Sequence, residues 1–142
     1  GVQPTSTQAL QVGQVAAEVR AWAREAAAGT PCDVVVAYRE YETWFLAALE
    51  SLRGHYGIRN DAVAPTNPEA KRDAKGALEE FMPSDRAYSE TGDQPGMSAR
   101  FELPTAHRRN RSFRKLVKTV GDILVRLNHP LPVWPPANWQ LQ

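Results

Sequence analysis

One cysteine in 142 residues excludes an internal disulfide framework. Cys32 with His55, His107 and His129 scattered along the chain does not make the four-ligand spacing of a structural zinc module. Long apolar runs are also missing. The longest, Trp44 to Leu49, falls far short of the roughly 20 residues that cross a bilayer as a helix. No basic stretch followed by an apolar core occurs in the first thirty residues, so the expected setting is cytoplasmic and reducing, with no membrane partner. A Gly-rich phosphate loop, a dinucleotide fingerprint, a kinase signature and a Ser-His-Asp or Cys-His arrangement are all absent. That argues against nucleotide-driven motors and nicotinamide redox enzymes.

What is present is enough for a core. The apolar fraction is 42%, with four each of Trp, Tyr and Phe, and the length suits one domain. Net charge is only +1, but it is unevenly placed. Residues 1–50 carry three basic and six acidic groups, residues 51–99 six and eight, and residues 100–142 eight and two, giving −3, −2 and +6. A basic C-terminal third in a near-neutral chain is the electrostatic footprint of a polyanion partner.

Helical periodicity recurs. Val12, Val15, Val19, Trp22 and Ala26 form one stripe, stopped by Gly29 and Pro31, and Tyr41, Trp44, Phe45, Leu49 and Leu52 form another, stopped by Gly54. Asn67 with Pro68 predicts a third helix running to about Phe81. The loop Thr91 to Pro95 predicts a turn with Asp93 as cap of a short helix. Ser112 predicts the cap of a last helix whose Phe113, Leu116, Val117, Val120, Ile123, Leu124 and Leu127 share a narrow arc. The four prolines after His129 predict an extended strap laying its tryptophans on the body.

Asp33 to Tyr38 reads as a strand because Val34, Val35 and Val36 follow one another between two helical patterns, as in a strand buried on both faces of a parallel sheet. One strand makes no sheet. Together with Gly1 in place of Met, this predicts that residues 1–142 are a single domain or the C-terminal part of a larger α/β domain, with a core over 12–127 and a tail over 128–142.

Charged groups just after such a strand have positional meaning, since open α/β sheets bind ligands there. Glu40 and Glu42 could share a divalent metal or serve as a base, or could simply complement a helix start with Arg39 as partner. Lys75, beside Gly76, could neutralise phosphate charge, and Gly76 itself points to a close backbone approach. Arg108, Arg109, Arg111, Arg114, Lys115 and Lys118 cluster about the start of the last helix, either as a phosphate-attracting site with its N-terminal amides or as an ordinary solvated face.

Taken in order, the segments from Val34 to Ala47, Ser51 to Gly54, Pro68-Glu69 with Arg72 to Gly76, Thr91 to Gln94, and Arg111 to Leu116 resemble one family. It is the domain-of-unknown-function family four-two-seven-six, which is TOPRIM-like and associated with ATPase-linked phage-defence genes. The resemblance spans roughly residues 30–127. It implies a parallel sheet flanked by helices and magnesium-dependent cleavage of phosphodiesters, with an ATPase partner. The family's early Glu and Asp-x-Asp metal ligands have no counterpart before Asp33. By the resemblance, Glu42, Lys75, Asp93 and Gln94 match its motifs. The expected fold is therefore α/β, a TOPRIM-like partial parallel sheet with a helix-rich chain. The expected function is a metal-dependent nuclease component, with Glu42, Lys75 and Asp93 catalytic, Glu40 and Glu42 on magnesium, and the six basic residues on nucleic acid. The alternatives are a non-catalytic module binding nucleic acid or an ATPase, and a homo-oligomer in which Val34 to Val36 completes another chain's sheet.

Overall fold

The computed structural model describes residues 6–139, with side chains from Gln11 onward. Among the described residues there are helices and no strand, so the expected parallel sheet is not there. The helices are α1 (Ser6–Ala26), α2 (Glu42–Ala47), α3 (Ala74–Glu79), α4 (Gln94–Arg100), α5 (Leu103–Arg109) and α6 (Arg111–Arg126), joined by 3-10 turns at Leu49–Leu52, Pro68–Ala70 and Ala137–Trp139. The described residues fall into two compact units, one holding residues 37–113 and the other residues 6–36 with 114–139.

The first unit is built around α2. Every residue of that short helix is buried, and Ala48 and Leu49 after it are buried too. A helix buried on all sides must be covered on all sides, and α3, α5, the turn at Pro68 and the Leu49–Leu52 turn pack against it. Five rings interlock there. Tyr41 meets Trp44 at 4.9 Å and Phe45 at 5.4 Å, Trp44 meets Phe113 at 5.4 Å, and Phe101 lies edge-on to Phe45 at 5.4 Å and Phe113 at 5.6 Å. Each such ring contributes about 1.5–3 kcal/mol by burial, and edge-to-face contact adds about 0.5–1.5 kcal/mol per pair. The Trp44–Leu49 run thus serves as the centre of a helical core.

Three boundaries differ from those the sequence predicts. The second helix is α-helical only to Ala47, because Ala48 (φ −119°, ψ 33°) leaves helical geometry and the chain tightens into a 3-10 turn. The predicted helix from Pro68 to Phe81 is two pieces, since Asp73 adopts a non-helical backbone and its carboxylate accepts the Gly76 amide at 2.9 Å, starting α3 afresh. The close approach at Gly76 is this capping carboxylate, into which a Cβ would collide. The last helix is capped by Asn110, whose Oδ1 accepts the Phe113 amide at 3.0 Å, and not by Ser112. Ser112 accepts the Trp44 indole N–H at 2.8 Å and donates to Asn110 Oδ1 at 2.8 Å, so a hydrogen-bonded chain ties the cap to the ring core.

In the second unit, Val34 to Val36 form no ladder and lie half-buried in irregular chain. β-branched residues favour a strand only where a partner strand takes their amides and carbonyls. Here Asp33 Oδ1 takes the Val34 amide at 2.8 Å and Arg20 Nε at 2.7 Å, a local alternative to pairing. Burial opposes ionisation of Asp33, yet the Val34 amide and Arg20 outweigh it and hold the carboxyl below its ordinary value. In the tail, the Trp134 indole N–H donates to the Val117 carbonyl at 2.7 Å and its ring occupies the space a Cβ on Gly121 would fill, while Ala137–Trp139 form a 3-10 turn and residues 140–142 lie outside the described residues. The apolar stripe of α1 is less well covered than its periodicity predicts, with Val15 53% and Trp22 65% exposed.

Candidate functional site

Side chains from separate segments of the chain meet at Glu42. Although charged, it is 2% exposed, and its Oε1 accepts the Tyr88 hydroxyl at 2.8 Å and the Gln94 side-chain amide at 3.0 Å. A buried carboxylate needs such donors, because removing it from water without them costs several kcal/mol, on the order of the penalties for any uncompensated ion. Burial first, and then the negative charge of Glu42, push the Tyr88 phenol above its ordinary value, so it stays a donor.

Lys75, on α3, forms an ion pair with Glu90, and this partner first, then Glu42 and Glu40 at longer range, raise the ammonium above its ordinary value against desolvation. Glu40 accepts the Ala74 amide at 3.3 Å. Asp93 sits next to Gln94, at the position before α4, but its side chain does not cap that helix. Instead Oδ1 accepts from Arg86 at 2.7 Å and Oδ2 accepts the Ser89 amide at 2.9 Å. The loop from Arg86 to Asp93 is held further by Glu79, which accepts the Tyr88 amide at 3.0 Å. Glu42, Lys75 and Gln94 are therefore brought into one neighbourhood, and Asp93 braces the loop that delivers Gln94.

Magnesium takes near-octahedral oxygen ligands, commonly one or two carboxylates with several waters. Glu42 Oε1 already serves two donors and Glu40 Oε1 a backbone amide. No cluster of three Asp, Glu, His or Cys side chains suited to a metal occurs among the described residues.

The six basic residues divide. Arg109 braces the core, donating to the Ala47 carbonyl at 3.1 Å and pairing with Glu50 at 2.9 Å. Burial resists ionisation of Glu50, but its backbone hydrogen bonds, including the Ala64 amide, and Arg109 hold it below its ordinary value. Arg108 bonds Thr105 on its own helix at 3.1 Å. Arg111, Arg114, Lys115 and Lys118 are exposed on α6, Lys118 pairing with Asp122 at 2.9 Å. The amides at the start of α6 are not open to phosphate. Glu69 Oε1 accepts those of Arg111 at 2.8 Å and Ser112 at 3.3 Å, and Asn110 takes that of Phe113.

Tyr88, Arg86, Glu69 and Asn110 were not singled out by sequence reasoning. An aromatic inside the polar segment Ser84 to Asp93 is the one mark that could have flagged Tyr88. The pairing of Glu69 with a helix more than forty residues away carries no local signal. No family model, no curated protein and no solved structure matches this chain. No helix among the described residues is long and apolar enough to cross a membrane.

Proposed function

We propose that this protein is a non-catalytic module that binds nucleic acid through the cationic face of α6. The observation carrying this reading is the exposure of Arg114, Lys115 and Lys118 at helical spacings of one, three and four, in the third of the chain whose charge is +6. Cations spaced this way lie on one side of a helix and can reach neighbouring phosphates, releasing condensed counterions as they bind. The groups once expected to perform chemistry support the same reading by their occupation. Asp93 is spent on Arg86 and Ser89, and Lys75 is paired with Glu90.

A mobility-shift titration of the chain with mixed-sequence nucleic acid at low salt tests it. Binding should weaken steeply as salt rises and should fall by about tenfold or more when Arg114, Lys115 and Lys118 are all replaced by Gln, which removes roughly three phosphate contacts. Binding indifferent to salt and to those replacements would reject it. A second reading, phosphodiester cleavage with Glu42 and Lys75 at the reacting centre, is favoured by their convergence with Gln94. Cleavage in the presence of divalent cations that is lost in folded Glu42→Gln and Lys75→Ala would establish that reading, and cleavage unaltered by both would discard it.

A further inference from the structure

We infer that the partner of α6 is the backbone of B-form duplex DNA, bound without regard to sequence; this rests on the nucleic-acid reading above. From Arg114 to Arg126 the exposed charged residues of the helix are Arg114, Lys115, Lys118, Asp122 and Arg126, four cations against one carboxylate. Asp122 is already engaged by Lys118. Those twelve residue steps span about 18 Å at 1.5 Å each, and a helix about 10–12 Å across matches a major groove about 12 Å wide. Long cationic side chains along such a cylinder reach phosphates on the groove walls. No Asn or Gln, the usual bidentate readers of adenine, lies on this stretch of helix. Its Arg and Lys side chains, which can also read guanine, are assigned here to phosphates, and the comparison of two unrelated DNA sequences tests that assignment.

Single strands are held differently, by successive bases stacked on aromatic rings over a basic groove. The stretch from Arg114 to Arg126 contains no aromatic residue, and Phe113 before it is enclosed in the ring core. Trp134 lies against Gly121, but its indole is fastened to the Val117 carbonyl, and one tethered ring does not make a series of stacking platforms. The A-form duplex of RNA presents a deep, narrow major groove that admits no helix.

Fluorescence anisotropy of the whole chain decides the matter, using a duplex DNA of about 20 base pairs, a second of unrelated sequence, the separated strand, an RNA duplex and a heparin fragment over about 50–200 mM salt. The expected result is duplex DNA bound with a log–log salt slope near −3, with the two sequences equal within about threefold and the single strand and RNA at least about tenfold weaker. Lys115→Glu with Lys118→Glu should abolish about two units of that slope. If the charge reversal lowers helicity by circular dichroism, Lys115→Gln with Lys118→Gln replaces it. Equal or tighter binding of the single strand, the RNA duplex or heparin, or a strong preference between the two DNA sequences, overturns the duplex-backbone assignment while leaving polyanion binding in place. No binding to any of the five overturns the proposed function itself.

Discussion

Glu42 ties three segments of the chain together through one carboxylate oxygen. Its Oε1 joins Tyr88 from the 85–93 loop and Gln94 from α4 to the first residue of the buried helix. Replacing it with Ala leaves two half-buried donors unmatched, and the expected loss is about 1.5–3 kcal/mol of unfolding free energy, measured by urea titration. Tyr88→Phe removes one hydrogen bond to a charged group and should cost about 1.5–3 kcal/mol in the same titration. A loss below about 0.5 kcal/mol for Tyr88→Phe, the range of ordinary surface substitutions, would show that the contact is not formed in solution. Asp33 supplies a pH signature. Its folded value lies below the ordinary 3.8, so its stabilising effect is complete above that pH and fades as pH falls through the folded value. Asp33→Asn should therefore lower stability at neutral pH and flatten the acid limb of the stability curve below about pH 4, monitored by thermal melts.

Among the elements, α6 carries the most testable construction. Asn110 caps it, Ser112 links that cap to Trp44, and Glu69 closes the first two amides from a distant turn. Asn110→Ala should cost at least the about 0.5–2 kcal/mol of a lost cap, with a larger loss if the Ser112 hydroxyl and Trp44 indole are left unpaired, and near-ultraviolet circular dichroism of Trp44 should report the loosening. Further along, Gly121→Leu fills the space held by Trp134 and should expel that ring. Tryptophan emission would shift to the red, and the shift should be absent when Trp134 is already Phe. The cap at Asn110 and the notch at Gly121 illustrate what local patterning leaves open. Asn and Ser are both good caps two positions apart, and a helical glycine carries no mark of the ring that will occupy it. The hydrophobic arc of the same helix, in contrast, is readable from spacing alone, because Phe113, Leu116, Val117, Val120, Ile123 and Leu124 fall within one side of a 3.6-residue turn, with Val125 outside it and exposed.

For the molecule as a whole, the two units differ in how completely each encloses its apolar groups. The first holds the five-ring core and the buried α2, whereas in the second α1 leaves Trp22 and Val15 largely open. Amide exchange should then be slowest in α2 and its covering helices and fast along α1, and equal protection of α1 and α2 would contradict this. Composition and periodicity were sufficient to specify several amphipathic helices, a basic last third and a helix before the proline-rich tail, since these follow from residue type and spacing, but they led to an α/β expectation where the described residues are helical. They did not specify whether Val34 to Val36 pairs with anything, because β structure exists only when a second segment supplies the other half of each hydrogen bond. Nor did they reveal that Tyr88 and Gln94 converge on Glu42 while Arg109 and Asp93 are taken up in pairs with Glu50 and Arg86. Which donors meet which acceptors across dozens of residues depends on the packing of the intervening helices, and no local pattern encodes that.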